Sequence, residues 1–421
     1  MATSLSVFKL IPTSQKYDWG KIGRTSSVAL LSEASKVPDF SIDEKSPYAE
    51  LWMGTHPSGL SCLTSSGESL SSHLAKHPEF MGKGILENFK NEGSEQGNLP
   101  FLFKILSIEK CLSIQAHPSK EQAKTLHAQR PDKYPDPNHK PEMALAITPF
   151  QALCGFRPIP EIIANINRTP ELKEFIPASL FDKLSIPSDD KKRALREVFA
   201  AAIDPPADQV KAQLDKLLAR YKAQEYAKDE DLEIVDLVQR LATQFPGDVG
   251  VFAPFLLNYM KLQPGEAIFL GAGEPHAYIY GECIECMANS DNVIRAGLTP
   301  KYRDVANLIT HLTYVDAPPS KHVVRSTPFD SAAKASSLYN PPIPEFSVIR
   351  TVLSSNQKRE THRPIDGPSL AIVVDGQGTI SWGKEKLELG KGDVVFIGAG
   401  AGVDFECEQE ITVYRAFAEP V

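Results

Sequence analysis

The sequence predicts a mainly β chain interrupted by an all-α insert, and three observations predict it. Short apolar runs bounded by Gly and Pro, such as 112–117 and 266–270, have the texture of strands. From about 156 to 255 the apolar residues recur instead at helical spacing. Residues 389–405 then repeat the pattern of residues 262–278. A chain of 421 residues exceeds one ordinary domain of about 150 and is expected to divide into two or three.

Composition narrows the function classes. Apolar residues at 42%, charged residues at 23%, 26 Gly and 33 Pro fit a globular protein and exclude disordered or collagen-like chains. Forty-five basic against 53 acidic residues give a net charge of -8, so a nucleic-acid binder would need a local cationic patch against the global trend. No run approaches the roughly 18–20 apolar residues of a membrane span, and MATSLSVFKLIPTSQKY has no apolar signal core. The expectation is a cytoplasmic protein with no nucleic-acid and no membrane partner. Cys62, Cys111, Cys154, Cys283, Cys286 and Cys407 are too sparse for a disulfide scaffold and are expected to be reduced. The Asn167-Arg168-Thr169 sequon is then coincidental.

Taken in order, the elements begin with the 112–117 run and a strand after Pro141, where Glu142, Ala144 and Ala146 alternate with Met143, Leu145 and Ile147. The insert shows three helical stripes: Leu195, Val198, Phe199 and Ala202; Val210, Leu214, Leu217 and Leu218; Ile234, Leu237, Val238 and Leu241. Asp204-Pro205-Pro206 and Phe245-Pro246-Gly247-Asp248 break them. Then LQPGEAIFLGAGEPHAY at 262–278 aligns without gaps with LGKGDVVFIGAGAGVDF at 389–405. Pro318-Pro319 and Pro341-Pro342 bracket a polar, serine-rich break between the two copies. Each copy reads as turn, strand and glycine turn, and with Gly376-Gln377-Gly378 upstream the pattern resembles the double-stranded jelly roll of cupins. The expected fold is therefore two cupin-like jelly-roll barrels plus an all-α domain. Residues 1–155 and 256–335 would form a discontinuous catalytic β unit, 156–255 the helical domain and 336–421 a C-terminal β domain. Where the first copy has His276 the second has Val403, so the C-terminal barrel is expected to hold no metal.

Alternation places Gln115 and His117 on one face of a strand, although alone such a pair is a weak signal and reads first as a polar strand end. Glu142 shares its face with Ala144 and Ala146, whose small side chains leave room for a metal or substrate. Alone it is equally a solvated first residue. His276 follows a glycine turn and Pro275, where an isolated histidine is a common core residue. Together the four give two imidazoles, a carboxylate and an amide oxygen, a mixed N/O set suited to a divalent first-row metal such as zinc. Competing motifs are weak. Cys283-Ile284-Glu285-Cys286 lacks a second pair to close a tetrahedral site, His73 and His77 lack the glutamate of HExxH, and no Walker A, GxGxxG or GxSxG motif occurs. The 291–304 stretch carries Arg295, Lys301 and Arg303 between glycine and proline breaks, and reads either as an anion clamp or as a charged surface loop.

At this point the sequence resembles type I phosphomannose isomerases. YDWGK (17–21), YAELWMGTHPSG (48–59), LSIQAHPSK (112–120), NHKPEMALAI (138–147) and LGAGEPHAYIYGECIECMANSDNVIRAGLTPKYRDV (270–305) carry the resemblance in order along nearly the whole chain. It implies a zinc enzyme, one ion per chain, held by Gln115, His117, Glu142 and His276. It implies interconversion of mannose 6-phosphate and fructose 6-phosphate through a cis-enediol(ate), feeding GDP-mannose synthesis. Catalytic positions would be Arg295, Lys140, Glu285 and Lys301, and substrate-binding positions Ser113, His139, Asp291 and Lys104, with the proton-transferring residue left open. A small sugar phosphate would be the partner, and the chain is expected to be a monomer. The competing readings are a bicupin that binds a sugar phosphate without turnover and an iron oxygenase, against which the neutral Gln115 argues.

Overall fold

The computed structural model describes residues 6–186 and 190–420; residues 1–5, part of the stretch without a signal core, lie outside the described residues. Among the described residues there are two eleven-stranded antiparallel sheets and one two-stranded ribbon. One sheet system is built from strands before and just after the helical segment, the other mainly from strands beyond residue 326. No described helix is long and apolar enough to cross a membrane.

The repeat is also a repeat of backbone geometry. Ala267–Leu270 and Val394–Ile397 are corresponding strands. The turns before them hold Gly265 at φ +92° and Gly392 at φ +87°, and the turns after them hold Gly273 at +72° and Gly400 at +76°. These left-handed values are what glycine alone adopts at no steric cost. His276 and Val403 then open the next strand of each copy.

The first strand departs from the expected division. Val7–Ile11 pairs antiparallel with Val394–Ile397, Val7 opposite Ile397, and so lies in the C-terminal sheet rather than in a unit made of 1–155. Such a pairing spans almost the whole chain, and local pattern carries no signal of a long-range partner.

The insert comprises helices Ile159–Arg168, Pro170–Lys173, Ala178–Ser185, Lys191–Ile203, Ala207–Lys222 and Leu232–Gln244, closed by the 3-10 turn Val249–Phe255. Its predicted stripes are buried, with Leu218 only partly so. They share one apolar cluster with Ile114, Ala116, Ile294, Ala296 and Leu298 of the first barrel. Alternation then fixes the other face of those strands: if Ile114, Ala116, Ile294 and Ala296 point out to the insert, Gln115 and Arg295 point in.

The thirteen-residue strand His276–Ala288 needs a correction of parity. His276 and Glu285 are an odd number of residues apart, so an unbroken strand would put them on opposite faces. Opposite Gln151 and Ala152 the register slips, Tyr280 facing the first and Tyr278 the second. Immediately beyond, Gly281 has φ +110°. This bulge re-aims the second half of the strand, so His276 and Glu285 both look into the barrel.

A Cβ at Gly281 would sit 2.5 Å from the Pro149 carbonyl oxygen. Gly281→Ala is therefore expected to lower stability by about 2–4 kcal/mol, combining backbone strain with overpacking. Gly383→Ala, at φ +57° with nothing near its Cβ, should cost only about 1–2 kcal/mol. Urea midpoints of the two variants check this, and equal costs would remove the bulge as the reason for Gly281.

Candidate metal centre and its surroundings

Three strands set the centre. His276 lies directly opposite Gln115, and Arg295 lies opposite Gln115 on its other side, so His276, Gln115 and Arg295 stand side by side on one face. Glu142 enters from Glu142–Ala146, paired with Leu270 on one flank and Met287 on the other. His117 follows one residue after the Gln115 strand ends.

His117, Glu142 and His276 are all buried, and one ligand atom from each lies within 4.8 Å of the others. The Nδ1–H of His117 donates to the Asn292 carbonyl at 2.7 Å, and that of His276 to the Glu274 carbonyl at 2.9 Å. A carbonyl can only accept, so both rings carry a proton on Nδ1, and as neutral imidazoles they present an Nε2 lone pair. Each Nε2 lies 3.4 Å from a different oxygen of Glu142. Both Nε2 atoms and Glu142 Oε2 are buried without a hydrogen-bond partner. Buried polar atoms are ordinarily satisfied, and three converging lone-pair donors with none is the arrangement a cation completes.

The electrostatics keep the donors in their ligating forms. Burial pushes the His117 imidazole down to about 4, outweighing the pull of Glu142. Burial alone would raise Glu142, but Lys140, whose Nζ lies 3.0 Å from Oε1, holds it well below the usual carboxylate range.

A second polar row crosses the barrel beside the donors. Trp52, Lys104, Glu285 and Ala144 are successive cross-strand neighbours. Lys104 Nζ lies 3.2 Å from Glu285 and 3.2 Å from Glu50, over the Trp52 ring. Burial works against the Lys104 charge, but Glu50, Glu285 and Glu142 outweigh it, and it stays an ammonium. Glu285 is the group that gives way: burial and the neighbouring Glu142 charge push its carboxyl up to about 7, against the pull of Lys104.

Arg295 is half-buried, and burial lowers its pKa with no carboxylate to counter it. Among the described residues nothing pairs with its guanidinium. The 291–304 stretch therefore holds one poised cation rather than three. Arg303 turns away to the Ala296 and Ile203 carbonyls, and Lys301 is exposed, unconnected to the buried groups.

The remaining expected positions form the rim. Ser113 is half-buried two residues before Gln115. Asp291 is half-exposed and lies 3.3 Å from His56. His139 Nε2 lies 2.6 Å from Glu345, a buried carboxylate from the C-terminal segment. Sequence reasoning missed Glu50, Tyr278 and Glu345. Tyr278 shares the inward face of His276 and buries an unpartnered hydroxyl, so alternation from His276 could have found it. Glu50 and Glu345 carry no local signal, because only the folded chain brings them to Lys104 and His139. Cys283 and Cys286, an odd number apart on a regular stretch of strand, fall in different apolar clusters and cannot chelate together.

The C-terminal barrel repeats the positions without the donors. By equivalent pairings Val403 stands for His276, His362 for Gln115, Ser369 for Glu142 and Arg415 for Glu285. The buried Arg415 donates to Ser369 Oγ at 2.9 Å and to His362 Nδ1 at 3.3 Å. A guanidinium thus stands where the first barrel has acids.

Comparison with known proteins agrees along the whole chain. Residues 7–159 match the catalytic domain of type I phosphomannose isomerase, 169–257 its helical insertion domain and 336–385 its C-terminal region. The mannose-6-phosphate isomerase of Cryptococcus neoformans is 47% identical, with 99% of this chain and 100% of that protein covered. That of Saccharomyces cerevisiae is 44% identical with the same coverage. Among solved structures, an apo mannose 6-phosphate isomerase from Salmonella typhimurium has TM-score 0.80 at 29% identity, covering 99% of this chain and 100% of that one. A zinc-bound mannose 6-phosphate isomerase gives the same values.

Purified protein is expected to bind about one divalent metal per chain. If the expected four-residue ligand set holds, His276→Ala and Gln115→Ala should each weaken binding by more than the roughly 10–100-fold that loss of a supporting hydrogen bond costs, since each would remove a direct donor. Elemental analysis after dialysis reads this out. Full metal content in His276→Ala, or a second equivalent dependent on His362, would overturn the assignment.

Proposed function

The chain belongs to the type I phosphomannose isomerases, and from that premise we propose how its own residues carry out the reaction. It is an aldose–ketose isomerase that interconverts mannose 6-phosphate and fructose 6-phosphate. In our reading Gln115, His117, Glu142 and His276 would hold one zinc ion, whose chemistry when bound is Lewis-acid polarisation of the carbonyl and hydroxyl oxygens of the opened sugar. The reading is supported above all by the two bare Nε2 lone pairs converging on Glu142 beside a carboxyl, Glu285, that titrates near neutrality.

The difficulty of the reaction is a carbon acid. Once the ring opens, Glu285 takes the proton from C2 of the aldose, and that C–H electron pair becomes the C1–C2 double bond of a cis-enediol(ate). Returning the proton to C1, while the O2 hydroxyl proton passes to O1, leaves the carbonyl at C2 and a hydroxyl at C1. A carboxyl raised to about 7 is matched to giving and taking a proton at physiological pH. Lys104 holds Glu285 in place from the facing strand and keeps its charge throughout. Arg295, unpaired and half-buried beside Gln115, stabilises the negative charge that appears on the enediolate oxygens. Lys140 adds positive charge at Glu142.

Ser113, His139 and Asp291 are assigned to the sugar from the rim, His139 being steadied by Glu345. Lys301 is assigned to the phosphate, where an exposed, mobile point charge suits a group remote from the reacting carbons. Work in the cytosol, as a source of mannose 6-phosphate for GDP-mannose synthesis, belongs to the same proposal.

The test is a coupled assay of mannose 6-phosphate conversion before chelation, after it, and after zinc is restored. Activity should vanish and return. Glu285→Gln should keep its metal and lose about 10²–10⁴-fold in kcat. In the wild type the acid limb should lie at or below pH 7, because the base is lost as pH falls through the Glu285 pKa and a bound dication lowers that value. Undiminished kcat in Glu285→Gln would transfer the proton step to another group. Arg295→Ala should keep metal and fold while kcat and kcat/KM fall together; full activity there would remove its role.

A further inference from the structure

Nothing in the reaction itself explains why a helical insert should sit behind the catalytic barrel. We propose that Asp248, at the end of that insert, is a positioning residue for Arg295. The inference rests on the assignment of Arg295 given above.

The Asp248 carboxylate reaches out of the insert into the Arg295 segment. Its Oδ1 accepts from the backbone N–H of Gly250 at 2.7 Å and of Leu298 at 2.8 Å, and its Oδ2 from that of Thr299 at 3.2 Å. One side chain thus ties the last turn of the insert to the two residues directly after the Arg295 strand, Ile294–Gly297. A carboxylate is suited to this because it offers several lone pairs to converging donors, and such charge-assisted bonds are the stronger kind.

The segment it holds does not rest in a relaxed shape. Leu298 has φ +53°, a left-handed conformation that a branched side chain keeps only when its surroundings impose it. The strand also slips register between Arg295 and Gly297 against Ile114–Ala116, so ladder pairing alone does not fix the backbone beyond Arg295. Contact with the insert is backbone to backbone: a Cβ on Gly297 would lie 2.9 Å from Asp248 Oδ1 and 3.0 Å from Gly250 Cα. A Cβ on Gly250 would lie 2.8 Å from the Leu298 nitrogen and 2.8 Å from the Ile114 side chain. Two glycines allow the approach and Asp248 locks it. Arg303 repeats the device, donating at once to Ala296 of this segment and to Ile203 of the insert.

Arg295 has no partner of its own to aim it, so its direction is inherited from this clamped backbone. Displacing a catalytic group by about 1 Å can cost about 100-fold in rate.

The experiment compares Asp248→Ala and Asp248→Asn in wild-type and Arg295→Ala backgrounds, reading kcat, KM, zinc content and melting temperature. Asp248→Ala is expected to lose about 10–100-fold in kcat with KM changed less than about threefold and zinc retained. Asn keeps an acceptor for Gly250 and Leu298 but not for Thr299, and should recover most of the loss. In the Arg295→Ala background the same change should cost little more, because the residue it aims is gone. The proposal is overturned if Asp248→Ala leaves kcat unchanged, or if its loss multiplies fully with that of Arg295→Ala. It is also overturned if Asp248→Asn is as inactive as Ala while fully folded. Should Asp248→Ala fail to fold, the smaller kcat loss of Asp248→Asn, from the Thr299 N–H left without its acceptor, is compared in the two backgrounds instead, and a loss that persists in full without Arg295, or no loss at all, overturns the proposal. Full activity of Arg295→Ala itself would instead sink the Arg295 assignment and leave the question of Asp248 separate.

Discussion

Three buried lone-pair donors held together inside one barrel are the constraint around which the first half of the molecule is organised. His117, Glu142 and His276 converge within 4.8 Å with their facing atoms unsatisfied. Buried polar atoms are ordinarily satisfied, so the cluster is built to receive a cation, and its surroundings hold the donors in place for one. Backbone carbonyls of Asn292 and Glu274 fix the two imidazoles. Lys140 keeps the carboxylate ionised. Behind the strands, Ile114, Ala116, Ile294 and Ala296 bury their side chains in the insert, each large apolar one contributing about 1.5–3 kcal/mol. The insert is thus the outer wall of the site, and the apolar cluster it shares with the barrel offsets the cost of the polar interior.

Two barrels with the same turns and different polar interiors show how little of a site resides in the fold. The glycine turns at 265 and 392, and at 273 and 400, keep the same left-handed backbone. Yet the second barrel has Val403, Ser369, His362 and Arg415 at the equivalent positions. Arg415 supplies a fixed cation in a place where the first barrel gathers acids. Burial lowers Arg415 to about 9 and pushes His362 well below its usual value, so the pair is stable as a charged guanidinium beside a neutral imidazole.

How much could be read from the sequence depends on the range over which each signal acts. Strand alternation gave Gln115 with His117, and helical spacing gave the stripes of the insert, because both depend on neighbours within a turn or two. The repeat placed His276 against Val403 through its glycine turns. Alternation fails between His276 and Glu285, since the bulge before Gly281 exchanges the faces; the family resemblance, and not the pattern, put Glu285 in the site. The crossing of Val7–Ile11 into the C-terminal sheet, Glu50 at Lys104 and Glu345 at His139 are contacts between distant segments, invisible to any local reading. The 291–304 stretch shows the same limit: its charges were legible, but only the fold shows that Arg303 serves the backbone and Arg295 is left free.

Charge balance connects this geometry to the substrate. Lys104, Lys140 and Arg295 supply three cations around the site, and Glu50, Glu142 and Glu285 supply three carboxylates, on a chain whose net charge is -8. With Glu285 ionised the inner residues cancel, and the site without a metal has no net attraction for an anion. A bound dication leaves an excess of two positive charges in a low-dielectric pocket, where such an excess acts far more strongly than in water. A phosphate monoester carries about -1.5 to -2 near pH 7. In the proposed reading, the ion held by these donors would therefore also add attraction for an anionic substrate against the overall negative field of the protein, while Lys301 takes up the phosphate at the rim.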